Sequence, residues 1–169
     1  MCKIFQLCIV SFLLAGCGVF NKGTAPDSVK LETIPMELTT HLGDQQKFVE
    51  GDELQFLLSL GQDAYIYMFY LDAADNITQI LPNENQRSNF YTAGYFLTIP
   101  EYENHYRFTI SGPFGKELIW VFASDKSIAL KQTPDSIENI KQFIKKSSDK
   151  AYGEYVMNIV TSQREGSRQ

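Results

Sequence analysis

The feature that most limits the fold of this chain is a series of short segments with an apolar residue at every second position. Leu54, Phe56, Leu58 and Leu60 follow this period, which is the pattern of a strand with one buried face. The next segment, Ala64–Leu71, is apolar on both faces and rich in Tyr and Ile, as expected for a central strand. The pattern predicts a mainly β fold.

Turn-forming residues separate these segments from further short strands. Gly51-Asp52-Glu53 precedes the alternating segment, and the residues from Asp72 to Asn76 supply a hairpin turn. The remaining predicted strands cover residues 34–38, 77–81, 95–99, 106–111, 117–123 and 152–160. Strands at this spacing favour an antiparallel β-sandwich, immunoglobulin-like or transthyretin-like in its arrangement.

One helix is predicted before the last of these strands. Thr133 can cap its first turn, and Pro134 suits the first helical position. Ile137, Ile140 and Ile144 then fall on one face of the helix. The prediction is therefore an antiparallel sandwich with one C-terminal helix followed by a final strand.

The N-terminal segment has the layout of an export signal. Lys3 is followed by an apolar run that is shorter than the roughly 20 apolar residues needed to span a membrane. The run ends at Leu14-Ala15-Gly16-Cys17, which resembles the lipobox of bacterial lipoproteins. The resemblance implies cleavage between Gly16 and Cys17 and lipid attachment to Cys17. The alternative is an ordinary signal peptide with an incidental cysteine.

These features divide the chain into four predicted segments. Residues 1–16 form the signal peptide, and residues 17–32 form the acylated N-terminus and a flexible tether rich in polar residues. Residues 33–161 form a single β-sandwich domain, and residues 162–169 form a disordered tail. The other two cysteines lie in the signal segment, so cleavage would leave no pair for a disulfide.

Charge and the lipid anchor limit the partners and the location. The net charge of −5 argues against nucleic acid as a partner, because binding phosphates requires clustered Lys and Arg. Several lipid chains on Cys17 would hold the protein on a membrane. Gly18 follows the cysteine, where an Asp favours inner-membrane retention in Gram-negative lipoproteins, so the resemblance implies the periplasmic face of the outer membrane. The sequence leaves the oligomeric state open.

Five short motifs occur in order along the middle of the chain. They are Gly51-Asp52-Glu53-Leu54, Ala64-Tyr65-Ile66-Tyr67, Ile80-Leu81-Pro82-Asn83, Leu97-Thr98-Ile99-Pro100 and Gly115-Lys116-Glu117. In this order they resemble domain-of-unknown-function family number 4384. The resemblance covers about residues 48–123 and implies a β-sandwich binding or scaffold module without established activity. Taken singly, each motif is also an ordinary set of turn residues.

Residue types that carry catalysis or metal binding are sparse. His41 and His105 are the two histidines, and the sequence has no Gly-x-Ser-x-Gly motif and no phosphate-binding loop. It also lacks the closely spaced ligands of a zinc site. Asp72, Asp75 and Asn76 lack the spacing of an EF-hand and fit a turn better. We therefore expect no enzymatic activity and no cofactor or metal beyond the covalent lipid.

Aromatic residues are concentrated around the loops between the middle strands. They are Phe90, Tyr91, Tyr95, Tyr102 and Tyr106. Tyrosines beside polar residues are typical of protein-binding surfaces, where aromatic side chains contribute much of the binding free energy. The alternative, which the sequence does not exclude, is that some of them close the ends of the sandwich core.

The sequence therefore favours a lipid-anchored, non-enzymatic envelope lipoprotein that acts as an accessory or scaffold subunit of an assembly such as a secretion system. Its expected partners are the membrane and an envelope protein. The alternative is a binder of a small ligand, of a glycan or of peptidoglycan. A hydrolase is a third class, but no motif in the chain supports it.

Overall fold

A computed structural model describes residues 30–43, 47–103, 106–130 and 135–166. Within these residues, the strands are β1 (Glu32–Thr33), β2 (Met36–Thr40), β3 (Lys47–Val49), β4 (Glu53–Leu54), β5 (Phe56–Leu60), β6 (Ala64–Leu71), β7 (Ile77–Leu81), β8 (Phe90–Tyr91), β9 (Phe96–Ile99), β10 (Phe108–Thr109), β11 (Lys116–Ser124) and β12 (Ala151–Ser162). The helix is α1 (Ile137–Ser147). The lipobox lies outside the described residues, as does His105.

A seven-stranded sheet forms the middle layer. Its main path is β1-β12-β11-β6-β7, with β3 also paired to β12 and β8 to β6. The long strand β11 pairs antiparallel with both β12 and β6, so β11 and β6 have neighbours on both edges. This central position explains why the segment Ala64–Leu71 is apolar on both faces.

A three-stranded antiparallel sheet, β2-β5-β9, packs against one face of the large sheet. Leu58 lies opposite Leu38 on one neighbouring strand and Leu97 on the other. The core between the sheets also contains Phe56, Ile66, Met68, Ile119, Val121, Met157 and Ile159. Burial of this apolar surface is the main force holding the two sheets together.

The helix covers part of the other face of the large sheet. Ile140 and Ile144 are buried there against Tyr67, Phe122 and Tyr152. The Tyr67 hydroxyl accepts a hydrogen bond of 2.6 Å from the Ile128 N–H, which fixes the chain at Ile128, shortly after β11. Burial raises the pKa of Tyr67 above its ordinary value of 10.0.

The predicted mainly β fold with one helix and a final strand is confirmed. The large sheet and the three-stranded sheet pack in a sandwich-like arrangement. The final strand, β12, extends to Ser162. Two short pairings are parallel: β1 with β12 and β3 with β12. Period-two alternation predicts a buried face but not the direction of a neighbouring strand, so sequence analysis did not predict these pairs. Glu32, placed in the tether by the sequence, pairs with Ala151.

The predicted start of the helix was wrong by three residues. The N-cap is Ser136, whose side-chain hydroxyl accepts a hydrogen bond of 3.2 Å from the Asn139 N–H. Thr133 and Pro134, the predicted cap and first helical residue, lie outside the described residues. Both Ser and Thr are good caps, so the residue type alone does not show which one begins the helix.

Asp125 holds the loop between α1 and β12. Its carboxylate accepts hydrogen bonds from the N–H groups of Asp149 (3.0 Å) and Lys150 (2.8 Å). Partial burial opposes ionisation, but these backbone hydrogen bonds outweigh it and lower the pKa of Asp125 below 3.8. Charge on this side chain therefore stabilises the folded state.

We predict that Asp125→Ala lowers the free energy of unfolding at pH 7 by about 1 kcal/mol. A lowered folded-state pKa means that the stabilisation is complete above the unfolded pKa near 3.8 and is lost as pH falls through the folded pKa. Urea unfolding of both proteins at several pH values should show their difference shrinking in acid. Asp149→Ala, which removes a neighbouring exposed carboxylate, is the control. A difference that is independent of pH would contradict the prediction.

Candidate functional site

The outer face of the three-stranded sheet is open to solvent. The strand registers place Glu37, Ser59 and Phe96 in one row across this face. Thr39, Leu57 and Thr98 form the next row. The outward side chains are exposed or half-buried, whereas Leu38, Leu58 and Ile99 on the other face are buried. The face therefore combines an apolar centre with polar surroundings.

Phe96 is the most exposed large apolar side chain on this face, at 78% of its surface. Tyr95, the residue before it, is 71% exposed. Two neighbouring aromatic residues with so much surface in water are unusual unless they bind something, since burial of aromatic area drives much of protein association. We call the surface formed by the aromatic residues Tyr95 and Phe96 together with Leu57 the aromatic face.

A groove of about 480 Å³ lies along this face beside β2. It is lined by Met36, Glu37, Leu38, Thr39, Leu57, Ser59, Phe96 and Tyr155. β2 is the edge strand of the small sheet, paired only with β5 among the described strands. Tyr155, which also lines the groove, belongs to β12. Besides its ladder with β11, β12 pairs with β1 at its start and with β3 at its end. A strand edge without a ladder partner, beside a groove, is suited to an added extended segment.

The five aromatic residues singled out from the sequence are placed in different surroundings. Phe90 is 47% exposed, and its ring lies 5.0 Å from that of Tyr65, on the helix side of the large sheet. Tyr95 and Tyr102, 71% and 72% exposed, stand before and after β9. Tyr106 is half-buried, and burial raises its pKa. The structure therefore does not bring the five together in one patch.

Tyr91 belongs to a half-buried hydrogen-bond network. Its hydroxyl accepts a hydrogen bond of 2.6 Å from the Gln86 side-chain amide, which also contacts Glu101 Oε1 at 3.1 Å. Burial and the nearby charge of Glu101 raise the pKa of Tyr91. Tyr91 also packs against the main core. This position fits the alternative interpretation, in which an aromatic residue closes one end of the sandwich.

Phe96 was not among the residues predicted to form a binding surface. It lies within the predicted strand 95–99, where Leu97 and Ile99 alternate with Phe96 and Thr98. If Leu97 and Ile99 face the core, the alternation of side chains along a strand places Phe96 on the opposite, outer face. The signal was therefore present, but the sequence does not show whether another layer covers that outer face.

A smaller polar cleft of about 200 Å³ lies at the end of the small sheet. His41, Glu53, Leu54, Gln55, Pro100 and Arg107 line it. The His41 Nδ1 accepts a hydrogen bond of 3.3 Å from the Gln55 N–H. Glu53 Oε2 lies 3.9 Å from Arg107 Nε, with both side chains about half exposed. His41 was considered from the sequence, but its proximity to Glu53 and Arg107 was not predicted. The long-range pairing of β4 with β10 brings Glu53 and Arg107 together.

Motifs of the middle region have structural roles. Gly51 has a φ of 84°, and the neighbouring Asp52 accepts a hydrogen bond from the Val49 N–H. Asn83 forms a corner by donating to the Ile80 carbonyl and accepting from the Gln86 N–H. These contacts use a glycine, or a short carboxylate or amide side chain, at the respective positions.

Glu117, the last residue of the Gly115-Lys116-Glu117 motif, is 1% exposed. Its carboxylate accepts hydrogen bonds from the Tyr70 hydroxyl at 2.6 Å and the Thr161 hydroxyl at 2.7 Å. Burial and these contacts with Glu117 raise the pKa of Tyr70. Since both carboxylate oxygens are engaged inside the protein, Glu117 serves the core and does not face a ligand.

In the part of the chain that the structure describes, no three His, Cys, Asp or Glu side chains gather in a way that could hold a metal ion. In that same part, no helix has the length and apolarity required to span a membrane.

The middle of the chain is similar to a known family. Residues 47–127 match the family described as "Domain of unknown function (DUF4384)". The matched region runs from β3 to the residues just after β11. It leaves out β2 and β12, although these strands border the groove. No curated protein matches the chain, and no solved structure does.

Proposed function

We propose that this chain is a lipid-anchored envelope lipoprotein whose β-sandwich docks a protein partner, as a non-enzymatic accessory or scaffold subunit. The observation that supports docking is the groove beside β2 with the exposed Phe96 on its wall. The support for the anchor is the lipobox Leu14-Ala15-Gly16-Cys17. The proposed location is the periplasmic face of the outer membrane, and the proposed assembly is one such as a secretion system.

The partner would contribute an extended segment beside β2. Backbone N–H and C=O groups of an edge strand give affinity to any extended chain, and side-chain pockets give specificity. Met36 offers an apolar contact at β2, and Leu57 and Phe96 offer contacts to the part of the segment that continues across the groove towards β9. Glu37 would favour a basic residue in the partner. A large, exposed aromatic side chain such as Phe96 on the wall of the groove is the expected hot spot.

We predict that Phe96→Ala weakens capture of the partner by at least about tenfold, equivalent to a loss of roughly 1.4 kcal/mol. The measurement is crosslinking and affinity purification of the full-length protein from native membranes. Phe143→Ala is the matched control, because Phe143 is an exposed aromatic residue, at 44%, on the helix. Equal recovery of envelope proteins with Phe96→Ala and wild type would refute docking on the aromatic face.

Cys17→Ser tests the anchor in the same experiment. We expect this variant to lose acylation, to leave the membrane fraction and to recover fewer envelope proteins. If the variant remains membrane-bound and lipidated, the lipobox assignment is wrong. If wild type is acylated and membrane-bound but recovers no defined protein, the scaffold proposal fails while the anchor stands.

A second candidate function, the binding of a small ligand, of a glycan or of peptidoglycan, has its own supporting observation. This is the polar cleft lined by His41, Glu53, Gln55 and Arg107. Side chains of both charges converging on a concave site are typical of ligand recognition. Thermal stabilisation of the full-length protein by muropeptides would favour this function, and unchanged melting temperatures would count against it.

A further inference from the structure

The hydrogen bonds at the two ends of β2 show which of its backbone groups face β5. At one end, the Gly61 N–H donates to the Pro35 carbonyl at 2.8 Å. At the other end, the His41 N–H donates to the Gln55 carbonyl at 2.8 Å. Both pairs continue the antiparallel register of β2 with β5. Because hydrogen-bonded and non-hydrogen-bonded pairs alternate along such a ladder, the odd-numbered residues of β2 direct their backbone groups towards β5.

The even-numbered residues of β2 direct their backbone groups away from β5. They are Met36, Leu38 and Thr40. The Thr40 carbonyl already accepts a hydrogen bond of 2.9 Å from the Gly43 N–H. Among the described strands, none pairs with this side of β2. Met36 and Leu38 therefore present N–H and C=O groups to which an added strand can bond.

The side chains of an added strand follow the pleat of β2. Residues opposite each other in a ladder project to the same face of the sheet. Leu38 is buried, and Met36 and Tyr155 pack against the same core. Two residues of the added segment, those opposite Met36 and Leu38, would project to this inner face, where Tyr155 lines the groove. Apolar side chains fit both positions.

The residue between these two positions would lie opposite Glu37, on the outer face. Glu37 is exposed and lines the groove. Its carboxylate belongs to none of the ion pairs that join described residues. Opposite charges directly across a strand pair stabilise the pair, whereas like charges destabilise it. A Lys or Arg therefore fits this position, and its charge is also complementary to the net charge of −5 on the chain.

A second copy of this chain is the alternative occupant of the same edge. If β2 paired antiparallel with β2 of another copy about Leu38, Glu37 would lie opposite Thr39 of that copy. The backbone groups would be paired, but the carboxylate would gain no cation, and two negatively charged chains would approach each other. Charge complementarity therefore favours a basic segment of a different protein.

We propose that β2 receives an extended segment in which a Lys or Arg opposite Glu37 stands between two apolar residues opposite Met36 and Leu38. The pattern is symmetrical about the basic residue, so it holds for a segment running in either direction. This inference rests on the proposed docking function and deepens it by naming the partner's chemistry, a basic strand-forming segment with alternating apolar residues.

The test is an NMR titration of the full-length protein in detergent micelles with acetyl-Thr-Val-Lys-Val-Thr-amide at millimolar concentrations. We expect saturable shifts of the Met36 and Leu38 amide signals, because their N–H groups gain acceptors. A peptide with glutamate in place of lysine should bind at least about tenfold more weakly. The same loss is expected for acetyl-Val-Thr-Lys-Thr-Val-amide, which has the same composition but places threonines at the two inner positions.

Two N-methylated forms of the lysine peptide test the backbone contacts. One is methylated at the two valines, and the other at the lysine and the threonines. In either strand direction, one of these sets of N–H groups faces β2 and the other faces away. One peptide should therefore lose binding while the other retains it, and equal binding of both would contradict strand addition.

Glu37→Lys should reverse the charge preference, so that the glutamate peptide binds better than the lysine peptide. Glu32→Lys is the matched control, because it makes the same charge change at an exposed residue of β1 outside the groove lining. This control should keep the wild-type preference. Far-ultraviolet circular dichroism checks that both variants are folded.

Several results would overturn the assignment. Equal binding of the lysine and glutamate peptides to wild type would do so, as would an unchanged preference in Glu37→Lys. Crosslinks between β2 strands of two copies, without peptide binding, would assign the edge to a second copy. If Phe96→Ala reduces capture of the native partner but no peptide shifts the Met36 and Leu38 signals, docking stands and this inference fails. If the lysine peptide binds as expected while Phe96→Ala captures normally, the inference stands and docking on the aromatic face fails.

Discussion

Glu117→Ala should destabilise the protein by about 2–4 kcal/mol, the largest loss that we expect from removing one polar side chain. The substitution would leave the Tyr70 and Thr161 hydroxyls, now bonded to Glu117 at 2.6 and 2.7 Å, without an acceptor in the core. An unsatisfied buried hydroxyl costs roughly 1–3 kcal/mol, and the missing side chain leaves a cavity as well. Urea unfolding followed by circular dichroism measures the loss.

Glu154→Ala is the matched control for this prediction. Glu154 also accepts a hydrogen bond from a tyrosine, Tyr152, at 2.8 Å, and it pairs with Lys141 at 2.8 Å. The difference is exposure, because Glu154 is exposed and Glu117 is 1% exposed. We expect a loss below about 1 kcal/mol for Glu154→Ala. Equal losses for the two variants would show that burial of the Glu117 network is not what stabilises the fold.

Glu117→Gln refines the same test. Its amide can still accept one hydrogen bond and can donate to the other hydroxyl oxygen. We therefore expect Glu117→Gln to retain more than half of the stability lost in Glu117→Ala. Because Gln and Glu have nearly the same shape, the difference between wild type and Glu117→Gln reports the charge and hydrogen bonds of the carboxylate at constant packing volume.

Gly153→Ala should destabilise the protein by about 2–3 kcal/mol. A methyl group at this position would lie 2.5 Å from the Ile34 carbonyl oxygen and 2.6 Å from the Met36 methyl group. The Met36 side chain can turn away, but the Ile34 carbonyl belongs to the backbone that crosses from β1 to β2. Moving it disturbs the hydrogen bond of 3.0 Å from the Ile34 N–H to the Tyr152 carbonyl. Overpacking of this kind usually costs about 1–3 kcal/mol.

Gly112→Ala is the control for Gly153→Ala. A methyl group at Gly112 would meet the Phe114 ring at 3.4 Å, a distance at which small adjustments suffice. We expect its unfolding midpoint in urea to stay near that of wild type. If Gly153→Ala is as stable as Gly112→Ala, the chain between β1 and β2 can move freely, and the wall of the groove formed by Met36 is not rigid.

The sequence match and the structure define different extents for the domain. The family match ends at residue 127, yet β12 pairs with β11 over nine positions, from Lys116 opposite Val160 to Ser124 opposite Tyr152. Residues of β12 such as Met157 and Ile159 are part of the main core. A fragment limited to the matched region would expose this part of the core to water, so experiments on function should use the full chain.

Local sequence patterns determined the longer strands, most of their buried faces and the turns, but not the short strands β1, β3 and β8. Leu54, Phe56, Leu58 and Leu60 are all buried, as their period predicted. Asp72 accepts from the N–H groups of Ala74 and Asn76, as its place in a turn predicted. These features follow from contacts between residues close in sequence and from the two-residue period of a strand.

The tertiary structure alone decided which strands became neighbours and what each outward face meets. Alternation could not show that β1 and β3 pair parallel with β12, or that Phe96 would remain in water. It could not bring His41, Glu53 and Arg107 into one cleft, because these residues are far apart in the chain. A period of two fixes the face on which a side chain lies, but the partner of that face is set by long-range packing.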